Sequence, residues 1–306
     1  MSELILVAIA GFAASVVDGA LGMGFGPTSA AILLGAGIPP AATTASINVA
    51  KIATGVASAG AHWRAGNVDV RLVRRLAGPG AAGAVVGAVA LTLVDPDVLR
   101  RLLALLLLLV GIRILVRFGL QGPGSATDPD TDPTGSVGVE PPVGTRAAGA
   151  LGGVTNGMIG AWGPVVTPFL LHHRVPPRIA VGSVNTAEVA VAVVSVGTLI
   201  GASGGRSELN PGVVAAMLLG GVVAAPLAAR IVRRVPARAL GLAVAGLLLF
   251  TQSRELATTV DTPLSRWVAY LAVVGGVALA AALPTLRARV RVTVRSAAAA
   301  GRDTGG

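Results

Sequence analysis

The sequence predicts an all-α integral membrane protein made of two related halves, and three observations carry that prediction. The first is composition: of 306 residues 53% are hydrophobic and 12% charged, with a mean hydropathy of +0.78. A soluble domain carries about 25% charged residues, so this chain cannot cover a water-facing surface, and the bilayer is its expected solvent. The second is the apolar stretches at 79–94, 102–118, 211–229, 236–250 and 267–286. They are of the order of the roughly 20 residues that span hydrocarbon as a helix, and they lack the strict alternation of β-barrel strands. The third is a duplicated pattern. Gly22-Met-Gly-Phe-Gly-Pro27, Leu33-Leu34, Ile38-Pro39-Pro40 and Ser46-Ile-Asn48-Val-Ala50-Lys51 return as Gly160-Ala-Trp-Gly-Pro164, Leu170-Leu171, Val175-Pro176-Pro177 and Ser183-Val-Asn185-Thr-Ala187-Glu188. From Pro27 and Pro164 onward the copies align without a gap, 137 residues apart.

The elements follow in order. Leu4–Val17 opens a helix over 3–20; with Glu3 as the only early charge it lacks the basic start of a signal peptide and reads as part of the mature chain. Glycines break the chain at 21–26, and a helix restarts at Pro27 over 27–36. Pro40 begins a helix over 40–61; 71–94 contains Pro79-Gly80 at the head of a Gly-rich run; the Val94-Asp95-Pro96 turn leads to a Leu-rich helix, 98–118. In the second half the expected helices are 146–160 and 164–173 (broken at 160–164), 177–202, 211–232 beginning Pro211-Gly212, 236–252 after Val235-Pro236, and 266–286. This gives about 7–9 transmembrane helices in one transport domain, 1–306. Repeat one covers 1–118, a polar Pro/Gly/Asp-rich linker with the composition of disorder 119–145, repeat two 146–252, an extra C-terminal helix 266–286 and a basic tail 287–306.

Charge sets the expected topology. The net charge is +10, placed in loops and in the tail residues Arg287, Arg289, Arg291 and Arg295. The positive-inside rule puts the tail in the cytoplasm, along with the loops holding Arg64, Arg71, Arg74 and Arg75 and holding Arg230, Arg233, Arg234 and Arg238. Both loops fall on one side only if the second broken segment dips into the membrane and returns. The same logic makes the first broken segment re-entrant from the outside, giving inverted repeats in a multi-pass protein of the plasma membrane. The competing picture makes each broken segment one kinked span. Gly-rich faces at 80–91 and 212–221 offer either a homodimer interface or intramolecular packing.

Several functions are excluded. No soluble basic domain is available for nucleic acid. The chain has no cysteine, hence no disulfide or thiolate metal site. The linker aspartates are interrupted by proline and do not form a calcium loop. No Ser/His/Asp or metal-ligand cluster lies in the spans, so neither an enzyme nor a cofactor is expected.

The candidate site lies at the breaks. Gly22, Gly24, Gly26 and Pro27 in copy one, and Gly160, Trp162, Gly163 and Pro164 in copy two, interrupt helices inside apolar sequence. Unpaired backbone survives in hydrocarbon only where it is buried in protein or lines a wet cavity. Two helix N-termini converging there form an oxyanion site; the alternative is that the glycines only allow close packing. Lys51 lies roughly 17 Å from either end of its helix, too far for its side chain to reach the interface, and its mid-span placement costs about 3 kcal/mol. The repeat pairs it with Glu188. Two readings stay open: a structural Lys51–Glu188 ion pair, or Lys51 balancing an anionic substrate while Glu188 carries a coupling proton. Asn48 and Asn185, one turn earlier on the same faces, suit either oxyanion contacts or helix–helix hydrogen bonds. Asp18 precedes the first break, where it caps the helix or takes a proton. Trp162 walls the pocket or packs.

Together, the Gly-rich breaks Gly22–Pro27 and Gly160–Pro168, each followed by a Leu-rich stretch and a Pro-Pro helix start, make the chain resemble the TauE/SafE (TSUP) family of sulfite exporters and anion transporters. The resemblance covers nearly the whole chain outside linker and tail. It implies a secondary transporter moving sulfite, an organosulfonate or a related sulfur anion across the cytoplasmic membrane, driven by protons, by alternating access around the broken helices. The alternatives are a passive anion channel and a transporter of a different small carboxylate or oxyanion.

Overall fold

The computed structural model describes residues 2–21, 24–120, 140–202, 210–234, 237–257 and 273–277. Gly22, most of the linker, most of the expected helix 266–286 and the whole basic tail lie outside the described residues. Most of the described residues fall in ten helices: α1 (Ser2–Leu21), α2 (Phe25–Gly35), α3 (Pro40–Arg64), α4 (Val70–Leu93), α5 (Pro96–Leu120), α6 (Thr145–Ile159), α7 (Gly163–His172), α8 (Pro177–Ala202), α9 (Pro211–Arg234) and α10 (Ala237–Ala257); residues 273–277 are helical as well. Three of them, Val70–Leu93, Arg101–Gly119 within α5, and Pro177–Ala202, are both long and apolar enough to cross a membrane.

The helix starts differ from expectation in one instructive way. Gly26 and Pro27 belong to the first turn of α2, and Gly163 and Pro164 to that of α7. A helix does not bond its first N–H groups internally, so proline is tolerated there and glycine need not mark the break itself. Pro211 opens α9, whereas Pro79 lies inside α4 and does not head a new helix. α6 stops at Gly160, which adopts the left-handed conformation (φ 69°) and donates its N–H to the Asn156 carbonyl at 2.8 Å, a glycine C-cap.

The direction of each helix follows from residues in contact. Gly144 lies beside Phe169, and Gly152 beside Val166 and Trp162, so α7 folds back along α6 as a helical hairpin. At 1.5 Å per residue the arms are roughly 22 and 15 Å long, short of the roughly 30 Å hydrocarbon thickness. Gly149 meets Leu76, Gly153 meets Gly80 and Gly157 meets Ala84; α4 and α6 run parallel. Gly212 lies near Leu4, Gly11 against Met217 and Gly221 near Ser15; α1 and α9 also run parallel. Equivalent helices of the two halves run antiparallel. In α3 and α8, Lys51 pairs with Glu188 and Ser58 with Asn185; in α5 and α10, Gly241 lies against Phe118 and Gly111 against Leu248.

The Gly-rich faces make contacts within the chain. Gly80, Gly83 and Gly87 are packed by α6, and Gly220 and Gly221 by α1. Glycine lets the backbones approach closely, which drives helix association where lipid supplies no hydrophobic force. Both faces are therefore occupied within the chain. The helix directions also gather arginines at one end of the molecule: Arg64 ends α3, Arg71, Arg74 and Arg75 begin α4, Arg146 begins α6, and Arg178 begins α8. Arg238 begins α10 and donates from Nε to the Phe118 carbonyl at the end of α5.

Candidate functional site

The two breaks meet inside the helical body. Gly26 lies against the backbone of Gly160 and Ala161, where a Cβ would collide. Beside this crossing is a cavity of about 90 Å³, the volume of roughly three waters. Asp18, Phe25 and Gly26 line it from the first break, and Gly163 and Pro164 from the second. Lys51, Thr54, Gly55 and Ser58 enter from α3, and Asn185 and Glu188 from α8.

The first link is between α3 and the end of α6. Thr44, Asn48 and Lys51 lie at i, i+4 and i+7, one helical face. Thr44 Oγ1 donates to the Met158 carbonyl at 2.6 Å, Asn48 Nδ2 to the Asn156 carbonyl at 3.4 Å, and Lys51 Nζ to the Gly160 carbonyl at 2.6 Å. The Asn156 carbonyl also accepts from the Gly160 N–H, whereas those of Met158 and Gly160 lie at the helix end, which the helix does not satisfy itself. A cation at that end also meets the negative pole of the helix dipole. Lys51 further donates to Glu188 Oε1 on α8, a largely buried ion pair with 8% and 18% of the side chains exposed. One ammonium thus ties three helices together.

The second link is at the start of α2. Asp18 Oδ1 accepts from the N–H groups of Gly24 at 2.9 Å and Phe25 at 3.2 Å. A carboxylate therefore already occupies the positive end of α2. The start of α7 has no such partner. Its cap residue, Trp162, makes no side-chain capping bond, and neither the Trp162 nor the Gly163 N–H has an acceptor among the described residues. The helix ends brought together are thus filled by Asp18 on α2, filled by Lys51 on α6, and free on α7.

Of the residues predicted from sequence, the structure brings Asp18, Gly26, Lys51, Gly163, Pro164, Asn185 and Glu188 to the cavity wall. Others are placed elsewhere, for reasons that are packing and bonding. Asn48 is fully buried away from the cavity; its Nδ2 also donates to Thr44 O at 2.9 Å and its Oδ1 accepts from Asn156 Nδ2 at 2.8 Å. Trp162 does not wall the pocket: it is fully buried, its ring packs on Gly80 and Gly152, and Nε1 donates to the Val184 carbonyl at 3.2 Å. Gly160 contributes its carbonyl to Lys51 and is not a lining residue, and Gly24 gives its N–H to Asp18. Pro27 is buried in the first turn of α2, behind the wall. Gly22 lies outside the described residues. Phe25, Thr54, Gly55 and Ser58 line the cavity without having been singled out. The last three had a legible signal: they follow Lys51 by three, four and seven residues, the face-sharing intervals of a helix.

Comparisons with known proteins identify the family of the chain. The family model described as "Sulfite exporter TauE/SafE" matches residues 7–254. The "Probable membrane transporter protein YtnM" of Bacillus subtilis (strain 168) is 36% identical over 277 residues, covering 89% of this chain and 87% of that protein. No solved structure matches the chain. The match spans both helix breaks, the Lys51–Glu188 pair and the cavity between them, and the chain belongs to the TauE/SafE sulfite exporter family of membrane transporters.

Proposed function

We propose that this chain is a proton-coupled secondary transporter of a small sulfur-containing oxyanion, sulfite or an organosulfonate, working by alternating access around its two broken helices. The observation that carries the reading is the state of the helix ends at the cavity. The free N-terminus of α7 is a positive pole with unbonded N–H groups, next to a lysine, which is the chemistry of an oxyanion site. The cavity is small and mainly polar, as an inorganic or short organic oxyanion requires.

The proton follows from a charge count. Lys51 faces two carboxylates, Asp18 and Glu188, at the cavity. An added anion is repelled by that excess in a poorly screened site. A proton taken by Glu188 removes the repulsion and releases Lys51 toward the anion. The anion's arrival and the proton's are then one event.

The topology is read as two inverted repeats with re-entrant hairpins. Support comes from the folding back of α7 on α6 and the antiparallel runs of α3 with α8 and of α5 with α10. Reciprocal packing adds to this, with each half's first helix parallel to the other half's fourth. The arginine-rich end is assigned to the cytoplasm of a plasma-membrane protein, with seven to nine crossings and the tail 287–306 on that side. A homodimer would use surfaces other than the two Gly-rich faces.

The deciding experiment is flux in proteoliposomes, with a panel of sulfite, sulfonates and small carboxylates across an imposed pH gradient. Uptake or efflux of a sulfur anion that follows the gradient, and is lost in Lys51→Ala, is the expected result. Flux that follows voltage alone, with no response to pH, would instead identify a passive anion channel.

A further inference from the structure

Two polar clusters in the molecule correspond to each other under exchange of the halves, and they stand in different states. The sequence Asp18-Gly-Ala-Leu-Gly22 matches Asn156-Gly-Met-Ile-Gly160, so Asp18 is the counterpart of Asn156. Asn185 corresponds to Asn48, and Ser58 to Ser195, at the constant separation of 137 residues. In one cluster Asn156 Nδ2 donates to Asn48 Oδ1 at 2.8 Å and to Ser195 Oγ at 3.1 Å, with all three side chains fully buried. In the other, Asn185 Nδ2 reaches Ser58 Oγ at 3.1 Å, and Asp18 is turned away to cap α2. That cluster lines the cavity.

The two clusters lie on opposite sides of the Lys51–Glu188 pair. Before Lys51, α3 is sealed from Thr43 to Asn48; after it, Thr54 is exposed and Ser58 half-buried, on the way to Arg64. The cavity lining therefore extends from Lys51 toward the arginine-rich end, and the buried cluster lies on the other side. Two details point to the closed cluster being one of two states. The Asn156 Oδ1 is buried without a hydrogen-bond partner, an uncompensated polar atom. Six and seven residues onward are the Trp162 and Gly163 N–H groups, which have no acceptor among the described residues and are spaced from Asn156 as Gly24 and Phe25, the groups Asp18 caps, are from Asp18.

We propose that Asn156 is a positioning residue of the transport cycle: its bridge between Asn48 and Ser195 seals the path away from the arginine-rich end. In the opposite state Asn156 swings to cap α7, as Asp18 caps α2 here, while Asp18 bridges Asn185 and Ser58. The α7 N-terminus is then free for an anion only while the cavity opens to the arginine-rich end; capping it from Asn156 evicts the anion on the other side. This rests on the alternating-access reading above and adds the residues that carry it.

The test uses the fact that the chain contains no cysteine. Ser58→Cys and Ser195→Cys are introduced singly, and sealed vesicles of both orientations are treated with a membrane-impermeant maleimide. Ser58→Cys should label from the face bearing the arginine-rich end, and Ser195→Cys, which leaves the Asn156–Asn48 bond in place and keeps a weak sulfur acceptor for Asn156 Nδ2, should be protected from both faces. Adding Asn156→Ala should raise labelling of Ser195→Cys at least about tenfold, from the opposite face only, since the bridging hydrogen bonds are gone. Asn156→Ser, too short to bridge both partners, gives the same readout should the alanine variant fail to fold. Ser195→Cys that stays protected in a folded Asn156 variant, or labels from the arginine-rich face, overturns the proposal. The labelling needs no substrate, so it can fail while sulfur-anion flux stands, and it can succeed while every tested anion is refused.

Discussion

The two helix breaks share their glycine–proline chemistry and differ in what meets their ends. The first presents the positive end of α2 to Asp18, a charge built into the chain. The second presents the negative end of α6 to Lys51, and the positive end of α7 at the cavity has no partner among the described residues. A perfectly symmetric pair would offer two anion sites of equal strength. The substitution of aspartate for asparagine at the first break, and of glutamate for lysine on α8, leaves one in the function proposed above. The difference teaches that duplicated backbone supplies the framework, while a few unmatched side chains decide which helix ends are neutralised within the chain.

Breaking the second copy's link should have the largest effect. Lys51→Met removes the cap on Gly160 and leaves Glu188 without its cation; flux should be abolished, and thermal or denaturant unfolding should show a loss of about 3–5 kcal/mol, as for other buried pairs broken on one side. Adding Glu188→Gln should recover most of the stability and none of the flux. Recovery of flux in the double variant would reduce the pair to a structural clasp.

The crossing of the copies comes next. Gly153→Ala forces a methyl into the Gly80 backbone, where overpacking costs typically about 1–3 kcal/mol. The expected outcome is a lower unfolding midpoint in detergent, with flux per folded molecule reduced less than the yield. An unchanged midpoint would mean that α4 and α6 are looser than their contacts indicate.

Glu188→Gln alone tests the role of the α8 acid. Anion binding should persist, because Lys51 and the α7 N-terminus remain, but flux should no longer respond to an imposed pH gradient. A variant that still concentrates anion in response to pH would move the proton to another group.

Smaller effects are expected from Asp18→Asn and Ser58→Ala. Asparagine caps a helix about as well as aspartate, so stability should change by less than about 1 kcal/mol, while removal of a negative charge from the cavity should lower the apparent KM for the anion. Ser58→Ala should raise KM a few-fold with little change in unfolding midpoint. If Asp18→Asn instead raises KM, the carboxylate is a partner of the cargo's proton and not only a cap.

Much of this was legible in one dimension. Glycine and proline at 22–27 and 160–164 announced the breaks, because no regular helix passes through them. The constant offset paired Lys51 with Glu188 before any contact was known, since duplicated halves place equivalent residues near a common axis. Asn48 shows where such reading ends. Its sequence environment matches that of Asn185, yet one is sealed in a bridge with Asn156 and the other faces the cavity. Trp162 likewise sits in the break but is drawn into packing against Gly80, 82 positions earlier in the chain.

By itself the sequence determined the solvent, the helical class, the two breaks and the equivalent positions of Lys51 and Glu188, because each depends on local composition, on periodicity or on a repeat. The tertiary structure decided which helix end each charge neutralises, which of two equivalent polar clusters is closed, and that Thr54 and Ser58 reach the cavity. Several of those outcomes depend on hydrogen bonds between residues a hundred or more positions apart, such as Lys51 with Gly160 and Asn156 with Asn48. The competing arrangements use the same side chains and differ only in which partners they meet.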